Sequence, residues 1–271
     1  MKSNGIHVSA RRAGAAAALL LAACAACAAD VAGSLVTQDG KAFSGVVRWK
    51  ASAKVYVVST GKIDLEFPPS QVREMTVPEP PGYAEAVKAV REGRPQQAVP
   101  ALERIAQDYA MLQWDEPATR ALAEACLAGG DVPGALRACD RVIAARPEAA
   151  YAGEMAPLYW QALLRSGRAS RLEGLLEQAV KTGAPEAAAS ALVMRGDALS
   201  AKGDFRAALK DGYLRVVTLF RAVRAVQPEA LFKAAKAFDQ MNQPGRAEAM
   251  RKQLLSEFGG SDWAAQVKGG K

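Results

Sequence analysis

The sequence has almost no histidine. Its only one, His7, lies close to the N terminus. Catalytic triads built on serine or cysteine use a histidine base, and many zinc sites use histidine ligands. A glycine-rich phosphate loop is also missing, because Gly129-Gly130 follows a helical pattern and not a strand. The sequence therefore predicts a protein that is not an enzyme and that holds no metal ion or cofactor.

A hydrophobic run long enough to cross a membrane is lacking as well. The apolar stretch Ala13–Ala23 falls short of the roughly 20 residues that a spanning helix needs. It follows the basic residues Lys2, Arg11 and Arg12, precedes the first acidic residue, Asp30, and runs into further small residues. This order is typical of a secretory signal peptide, which we predict to span residues 1–29.

Two cleavage sites fit this segment. Leu21-Ala22-Ala23-Cys24 resembles a bacterial lipobox, which would make Cys24 the acylated first residue of a lipoprotein. The small residues at 26–29 fit an ordinary signal peptidase, which would release a chain that starts near Asp30. We favour the second site, because a lipoprotein usually carries a longer tether before its folded part. The protein is expected to be periplasmic or secreted, and to meet a membrane only if Cys24 is lipidated.

A strong charge of one sign is also absent. The formal net charge is +7, and three of the basic residues lie in the predicted signal peptide. The other charges are spread along the chain and form no basic stripe with interleaved aromatic residues. Nucleic acid is therefore not an expected partner.

The stretch Pro117–Ala149 is predicted to form two short helices that pack against each other. An apolar stripe at helical spacing fills its first half, and a second stripe lies between the turn at Gly130 and the helix-ending Pro147. The unit resembles a tetratricopeptide repeat (TPR), with Leu122 and Ala123 in the first helix and Ala135 in the second. One such hairpin cannot bury its own apolar face, so similar units are expected on both sides.

The expected neighbours recur at nearly constant spacing. Turn residues are predicted at Gly93, Gly130, Gly167, Gly203 and Asn242, which are 37, 37, 36 and 39 positions apart. Five places after four of the five turns stands a small residue where the paired helices cross: Ala98, Ala135, Ala208 and Ala247. The third unit has Leu172 instead, which predicts a wider crossing. After Phe205 the helical pattern continues towards Val226, longer than a usual second helix. We predict a TPR-like helical repeat domain over residues 83–268.

The segment before the repeats has the alternation of strands. Five short runs between Val31 and Val77 are rich in β-branched and aromatic residues and are separated by turn residues. In one of them Ile63, Leu65 and Phe67 alternate with acidic residues, which predicts one buried face. The order of strands and turns resembles that of an Sm-like small β-barrel, which we predict for residues 30–77. The proline-rich residues 78–82 are predicted to be a stiff linker. The fold class is thus mainly α: a TPR-like solenoid of helix hairpins after a small antiparallel β-barrel.

The TPR resemblance implies a partner-binding groove on the concave side, formed by the first helices. Carried over unit by unit, the groove positions are Tyr83, Arg120, Glu124, Gln161, Asp197, Phe232 and Lys236. The fifth unit is similar to the terminal repeats of bacterial envelope TPR proteins, such as the one associated with the Tol-Pal system. Cys126 and Cys139 lie on opposing helices of one hairpin, either as packed free thiols or as a disulfide in an oxidising compartment.

These features predict an exported, non-catalytic interaction scaffold of the bacterial cell envelope whose partners are other envelope proteins or peptides. The alternative is a cell-wall or glycan-binding module that acts through the barrel, which exposed Trp49 or Tyr56 would favour.

Overall fold

The computed structural model describes residues 30–270. The predicted signal peptide and Cys24, the candidate lipidation site, lie outside the described residues.

The N-terminal part is one antiparallel sheet of five strands. They are β1 (Val31–Thr37), β2 (Ala42–Lys50), β3 (Val55–Ser59), β4 (Asp64–Phe67) and β5 (Val72–Thr76), in the spatial order β4-β3-β2-β1-β5. Strands β4 and β5 are the two edges and do not pair, so the sheet is open and the predicted closed barrel is not observed. A physical reason lies in the sequence, since β4 has only four residues and runs into Pro68 and Pro69, which have no backbone N–H to donate.

One face of the sheet is buried, but the start of the edge strand β4 differs from the prediction. Leu35, Val47 and Val58 are fully buried, and Phe67 is nearly so. Ile63 precedes β4 and is 62% exposed, so the predicted alternation begins only at Leu65. Arg48 and Lys50 pair across the other face with Asp64 and Glu66, at 2.6 and 2.7 Å.

The rest of the described chain is helical. The helices are α1 (Tyr83–Arg91), α2 (Pro95–Asp108), α3 (Asp115–Gly129), α4 (Val132–Ala145), α5 (Met155–Arg165), α6 (Ala169–Lys181), α7 (Pro185–Ala201), α8 (Phe205–Ala207), α9 (Leu214–Leu219), α10 (Gln227–Gln240), α11 (Pro244–Phe258) and α12 (Asp262–Lys268). They form five hairpins, in which α1, α3, α5, α7 and α10 are the first helices. This is the TPR-like arrangement expected from the repeats. None of the helices in residues 30–270 is both long and apolar enough to span a bilayer.

All five predicted turn residues adopt a left-handed backbone conformation. Their φ angles are 76° at Gly93, 82° at Gly130, 72° at Gly167, 78° at Gly203 and 53° at Asn242. Glycine reaches this region without steric cost, and asparagine tolerates it better than most residues. The prediction of hairpin turns from these five positions is confirmed.

The small residues after the turns lie where the helices of each hairpin meet. Ala98, Ala135, Ala208 and Ala247 are fully buried. Leu172 is also buried, and α5 and α6 pack less closely than the helices of the other hairpins. The wider crossing predicted for the third unit is therefore observed.

The second helix of the fourth hairpin differs from the prediction. It consists of α8, a π-helical segment (Ala208–Tyr213) and α9, and it ends at Leu219, not near Val226. The buried side chain of Gln227 packs against this end, and its Nε2 donates to the carbonyl oxygens of Val216 and Phe220, both at 2.9 Å. The same carbonyls also accept from the backbone N–H groups of Phe220 and Val223, at 3.1 and 2.9 Å, so Gln227 adds a second donor to each.

The sheet and the first two hairpins share one apolar cluster. Leu35, Val47, Val58 and Phe67 of the sheet belong to the same cluster as Ile105, Tyr109 and Leu112 of the helical part. The indole Nε1 of Trp114 donates to the carbonyl oxygen of Val77 at 3.1 Å, and the Val77 N–H donates to Oε1 of Gln113 at 3.1 Å. In the segment predicted as a linker, Pro80 is buried. The sheet is thus packed against the hairpins and shares its apolar cluster with them.

Candidate partner-binding groove

Successive first helices contact one another along the stack, and the second helix of each hairpin packs on the first helix of the next. α1 packs against α3, α3 against α5, α5 against α7, and α7 against α10, while successive second helices pack less closely on one another. The side of the stack that is formed by the first helices is called here the inner groove, after the partner-binding groove that the TPR resemblance implies.

At the N-terminal end of the inner groove the structure brings together three of the predicted residues. The ring of Tyr83 packs edge-on against Trp114 with ring centres 5.0 Å apart, and burial raises the pKa of Tyr83, partly opposed by the nearby Arg120. Arg120 in turn forms an ion pair with Glu154, just before α5. Glu124 lies one turn further along α3 and is exposed. The arrangement offers an aromatic edge and charges of both signs.

The middle of the inner groove is less polar. Gln161 lies on α5 and is half-buried. Near it, Arg165 donates from Nη1 to the carbonyl oxygen of Leu127 at 2.6 Å, at the C-terminal end of α3, where the same oxygen also accepts from the Gly130 N–H at 3.3 Å. No sequence pattern indicates this contact, because the two residues belong to different repeats.

At the C-terminal end a charge network joins α7 to α10. The Nζ of Lys233 lies 2.6 Å from Oδ2 of Asp197 and 2.6 Å from Oε1 of Glu229. The other oxygen of Asp197 accepts a hydrogen bond of 2.8 Å from the hydroxyl of Tyr213, which lies 3.1 Å from Oγ of Ser200. Asp197 was predicted as a groove residue, but Lys233 was not. The spacing of Glu229 and Lys233, four residues apart on one helix, is a sequence signal that points to their pairing.

Two predicted residues on α10 have different surroundings. Phe232 is only 5% exposed and packs against Trp263 of α12, with ring centres 5.1 Å apart. Its assignment to a partner-binding surface is therefore wrong, because α12 folds over it. Lys236 is exposed, and its Nζ lies 4.8 Å from the centre of the Phe232 ring. The cation is available to a partner although the ring below it is not.

Reactive groups are scarce in the part of the chain that the structure describes. Residues 30–270 contain no cluster of three or more side chains suited to hold a metal ion. Cys126 and Cys139 are free and buried, and burial raises the pKa of their thiols to about 11 and about 12. A thiol must lose its proton to act as a nucleophile, so both cysteines serve here as small apolar core residues.

Comparisons with known proteins gave structural similarities only. No family model and no curated protein matches the chain. Among solved structures, TTC0263, a thermophilic TPR protein of Thermus thermophilus, is similar with a TM-score of 0.47 and 21% identity, over 68% of this chain and 93% of that one. A structure of MamA from AMB-1 is similar with a TM-score of 0.39 and 17% identity, over the same shares of the two chains.

Proposed function

We propose that this protein is an exported, non-catalytic scaffold of the bacterial cell envelope that binds partner proteins or peptides along its inner groove. The observation that carries the proposal is the contact between successive first helices, which creates one continuous face. That face presents the exposed charges of Glu124 and Lys236 and the half-buried polar groups of Tyr83, Arg120 and Gln161. Mixed charges next to aromatic and amide groups suit the recognition of a polypeptide.

Capture from envelope extract tests this proposal. The full chain serves as bait beside a groove variant, Glu124→Arg with Lys236→Glu, in which both exposed charges are reversed. The matched control reverses exposed charges on second helices, Glu103→Arg with Lys252→Glu. We expect the same partner with the wild type and the control and a loss of that partner with the groove variant. Capture that survives in the groove variant would contradict binding through the inner groove.

The alternative of a glycan-binding or cell-wall-binding sheet has less support. Trp49 and Tyr56 are both half-buried, and their rings pack edge-on with centres 4.8 Å apart. The exposed aromatic residue that would favour this alternative is therefore not found on β2 or β3.

Export is part of the proposal and rests on the sequence of residues 1–29. Cell fractionation of the full-length protein should place it in the periplasm or the medium, and the intact mass should correspond to a chain that begins near Ala29 or Asp30. A diacyl adduct that disappears in Cys24→Ala would show instead that the protein is a lipoprotein. An uncleaved chain in the cytoplasm would contradict export altogether.

A further inference from the structure

A cleft on the outer side of the stack collects positive charge. It lies between the second helix of the fourth hairpin and the turn of the fifth hairpin, and its volume is about 580 Å³. Four cationic side chains line it, and no carboxylate of the described residues does: Arg206, Lys210, Arg215 and Arg246. We call this the outer cleft. Its walls are the second helix of the fourth hairpin, the C-terminal end of α10 and the first turn of α11, and none of the predicted groove residues lines it.

The four cations of the outer cleft differ from their neighbours in their pairing. Among residues 30–270, none of the four forms an ion pair, whereas the neighbouring Arg224, Lys233 and Arg251 each pair with a carboxylate. Arg206 and Lys210 lie four residues apart on the same helical segment, where like charges repel each other. Arg215 lies on the rim shared with a neighbouring cleft that also contains Asp211 and Glu173. Like charges held this close favour the binding of an anion.

The backbone adds to this positive potential. α11 begins at Pro244 next to the cleft, has no acidic residue in its first turn, and receives no side-chain cap from Gln243. The N-terminal end of a helix carries a partial positive charge and favours anions nearby. The charge of the cleft therefore comes from four side chains and one helix end.

The floor of the outer cleft is apolar. Leu209 and Phe238 are buried below it, and Leu214 and Met241 are half-buried in its walls. Gln243 lines one end of the cleft. An apolar floor favours a ligand that carries apolar side chains over inorganic phosphate. The buried ring of Phe238 offers no stacking surface for a nucleic acid base.

We propose that the outer cleft binds a short acidic segment of a partner protein, in which apolar side chains alternate with carboxylates. The cleft follows the helix from Arg206 to Thr218, which at 1.5 Å per residue is roughly 18 Å. An extended segment rises about 3.3 Å per residue, so about five residues fill it. Apolar side chains contact Leu209, Leu214 and Met241, and the carboxylates pair with the four cations. This surface is separate from the inner groove and does not depend on binding there.

A fluorescein-labelled peptide of alternating Glu and Leu residues tests the proposal with the full chain, by fluorescence anisotropy at low and at high salt. We expect binding that weakens about tenfold or more in the Lys210→Glu, Arg246→Glu double variant and that weakens with salt. The matched control is Arg221→Glu with Lys252→Glu, two exposed cations outside the cleft, and we expect it to bind as the wild type does. Thermal melts establish that both variants are folded.

Two further probes distinguish the ligand class. The same peptide with Gln in place of Glu should not bind, and a single-stranded oligonucleotide should bind more weakly than the acidic peptide. The proposal is overturned if the acidic peptide does not bind at low salt, if the double variant and the control bind equally, or if the Gln peptide binds as tightly. If the oligonucleotide binds more tightly than the acidic peptide and the double variant loses this binding, the occupant of the outer cleft is nucleic acid and the proposal is wrong.

Discussion

At the scale of single residues, Lys233 holds α7 and α10 together through two ion pairs. Its side chain is 21% exposed, that of Asp197 is 20% exposed, and Glu229 contacts the same ammonium group. Replacing Lys233 by Met would leave two carboxylates close together without their shared cation. Removal of one partner from a buried pair typically costs about 3–5 kcal/mol. Lys233→Met should therefore lower the free energy of unfolding by an amount near this range in urea titration.

Lys236→Met is the matched control, because Lys236 is exposed and forms no ion pair within residues 30–270. A substitution at such an exposed site usually changes the free energy of unfolding by no more than about 0.5 kcal/mol. Equal stability of the two variants would mean that the network contributes little to the fold.

The same network predicts a loss of stability at alkaline pH. Burial alone would lower the pKa of Lys233, but the attraction of Asp197 and Glu229 outweighs it, and the pKa is raised above its usual 10.5. A raised pKa in the folded state gives stability that is complete below the pKa of the unfolded chain and that is lost as the pH rises through the folded value. Burial also raises the pKa of Tyr213, beside Asp197, above its usual 10.0, with the same sign.

Melting temperatures should thus fall more steeply above about pH 10 in the wild type than in Lys233→Met, which lacks the lysine. The comparison needs only thermal melts in a series of buffers. If the melting temperatures of the two proteins fell equally steeply with pH, Lys233 would have no role in the loss of stability at alkaline pH.

At the scale of secondary structure elements, the sequence predicts well what is decided locally. The five hairpin turns were predictable, because a left-handed residue is needed at each turn and Gly or Asn stands there. The position of Trp114 was not, because helical periodicity does not say that its indole will bond to Val77 in the sheet. The open edge between β4 and β5 and the covering of Phe232 by α12 likewise depend on contacts between distant parts of the chain. The groove residues remain a prediction, and their contacts, such as the pairing of Arg120 with Glu154 and of Asp197 with Lys233, could not be predicted from helical periodicity.

The crossing of α7 with the π-helical segment permits a sharp test at the same scale. A Cβ at Gly212 would lie 2.6 Å from Cα and 2.7 Å from N of Gly196, and 2.9 Å from the carbonyl oxygen of Leu192. These are backbone atoms, so the helices must separate to make room. Gly212→Ala should destabilise the protein by about 1–3 kcal/mol, as overpacking typically does, and chemical denaturation measures this.

Gly174→Ala in α6 is the control, since nothing lies within 4 Å of its added Cβ. Alanine is a better helix former than glycine, so the free energy of unfolding of this variant should be higher by about 0.5–1 kcal/mol. If both variants changed stability in the same direction, the close approach of the two backbones at Gly196 and Gly212 would not be the cause.

At the scale of the whole molecule, the shared apolar cluster changes what is expected of the sheet. Different periodicities on either side of residues 78–82 suggest two independent units, but Ile105, Tyr109 and Leu112 complete the core of the sheet. The sheet packs on the C-terminal end of α2 and on the loop that leads into α3. Terminal repeats of a solenoid need a cover to be soluble and stable. We therefore expect the sheet to stabilise this end of the stack.

A substitution deep in the sheet should therefore weaken the helices as well. Leu35 is fully buried in the shared cluster, and Leu→Ala changes at such sites typically cost about 2–5 kcal/mol. In Leu35→Ala we expect the helical signal in far-ultraviolet circular dichroism to melt at a lower temperature, together with the tryptophan fluorescence, to which Trp114 at the interface contributes. Ile63→Ala, at a site 62% exposed in the same sheet, is the control and should melt like the wild type. If Leu35→Ala left the helical transition unchanged, the sheet would be an independent unit and the shared cluster would not couple it to the hairpins.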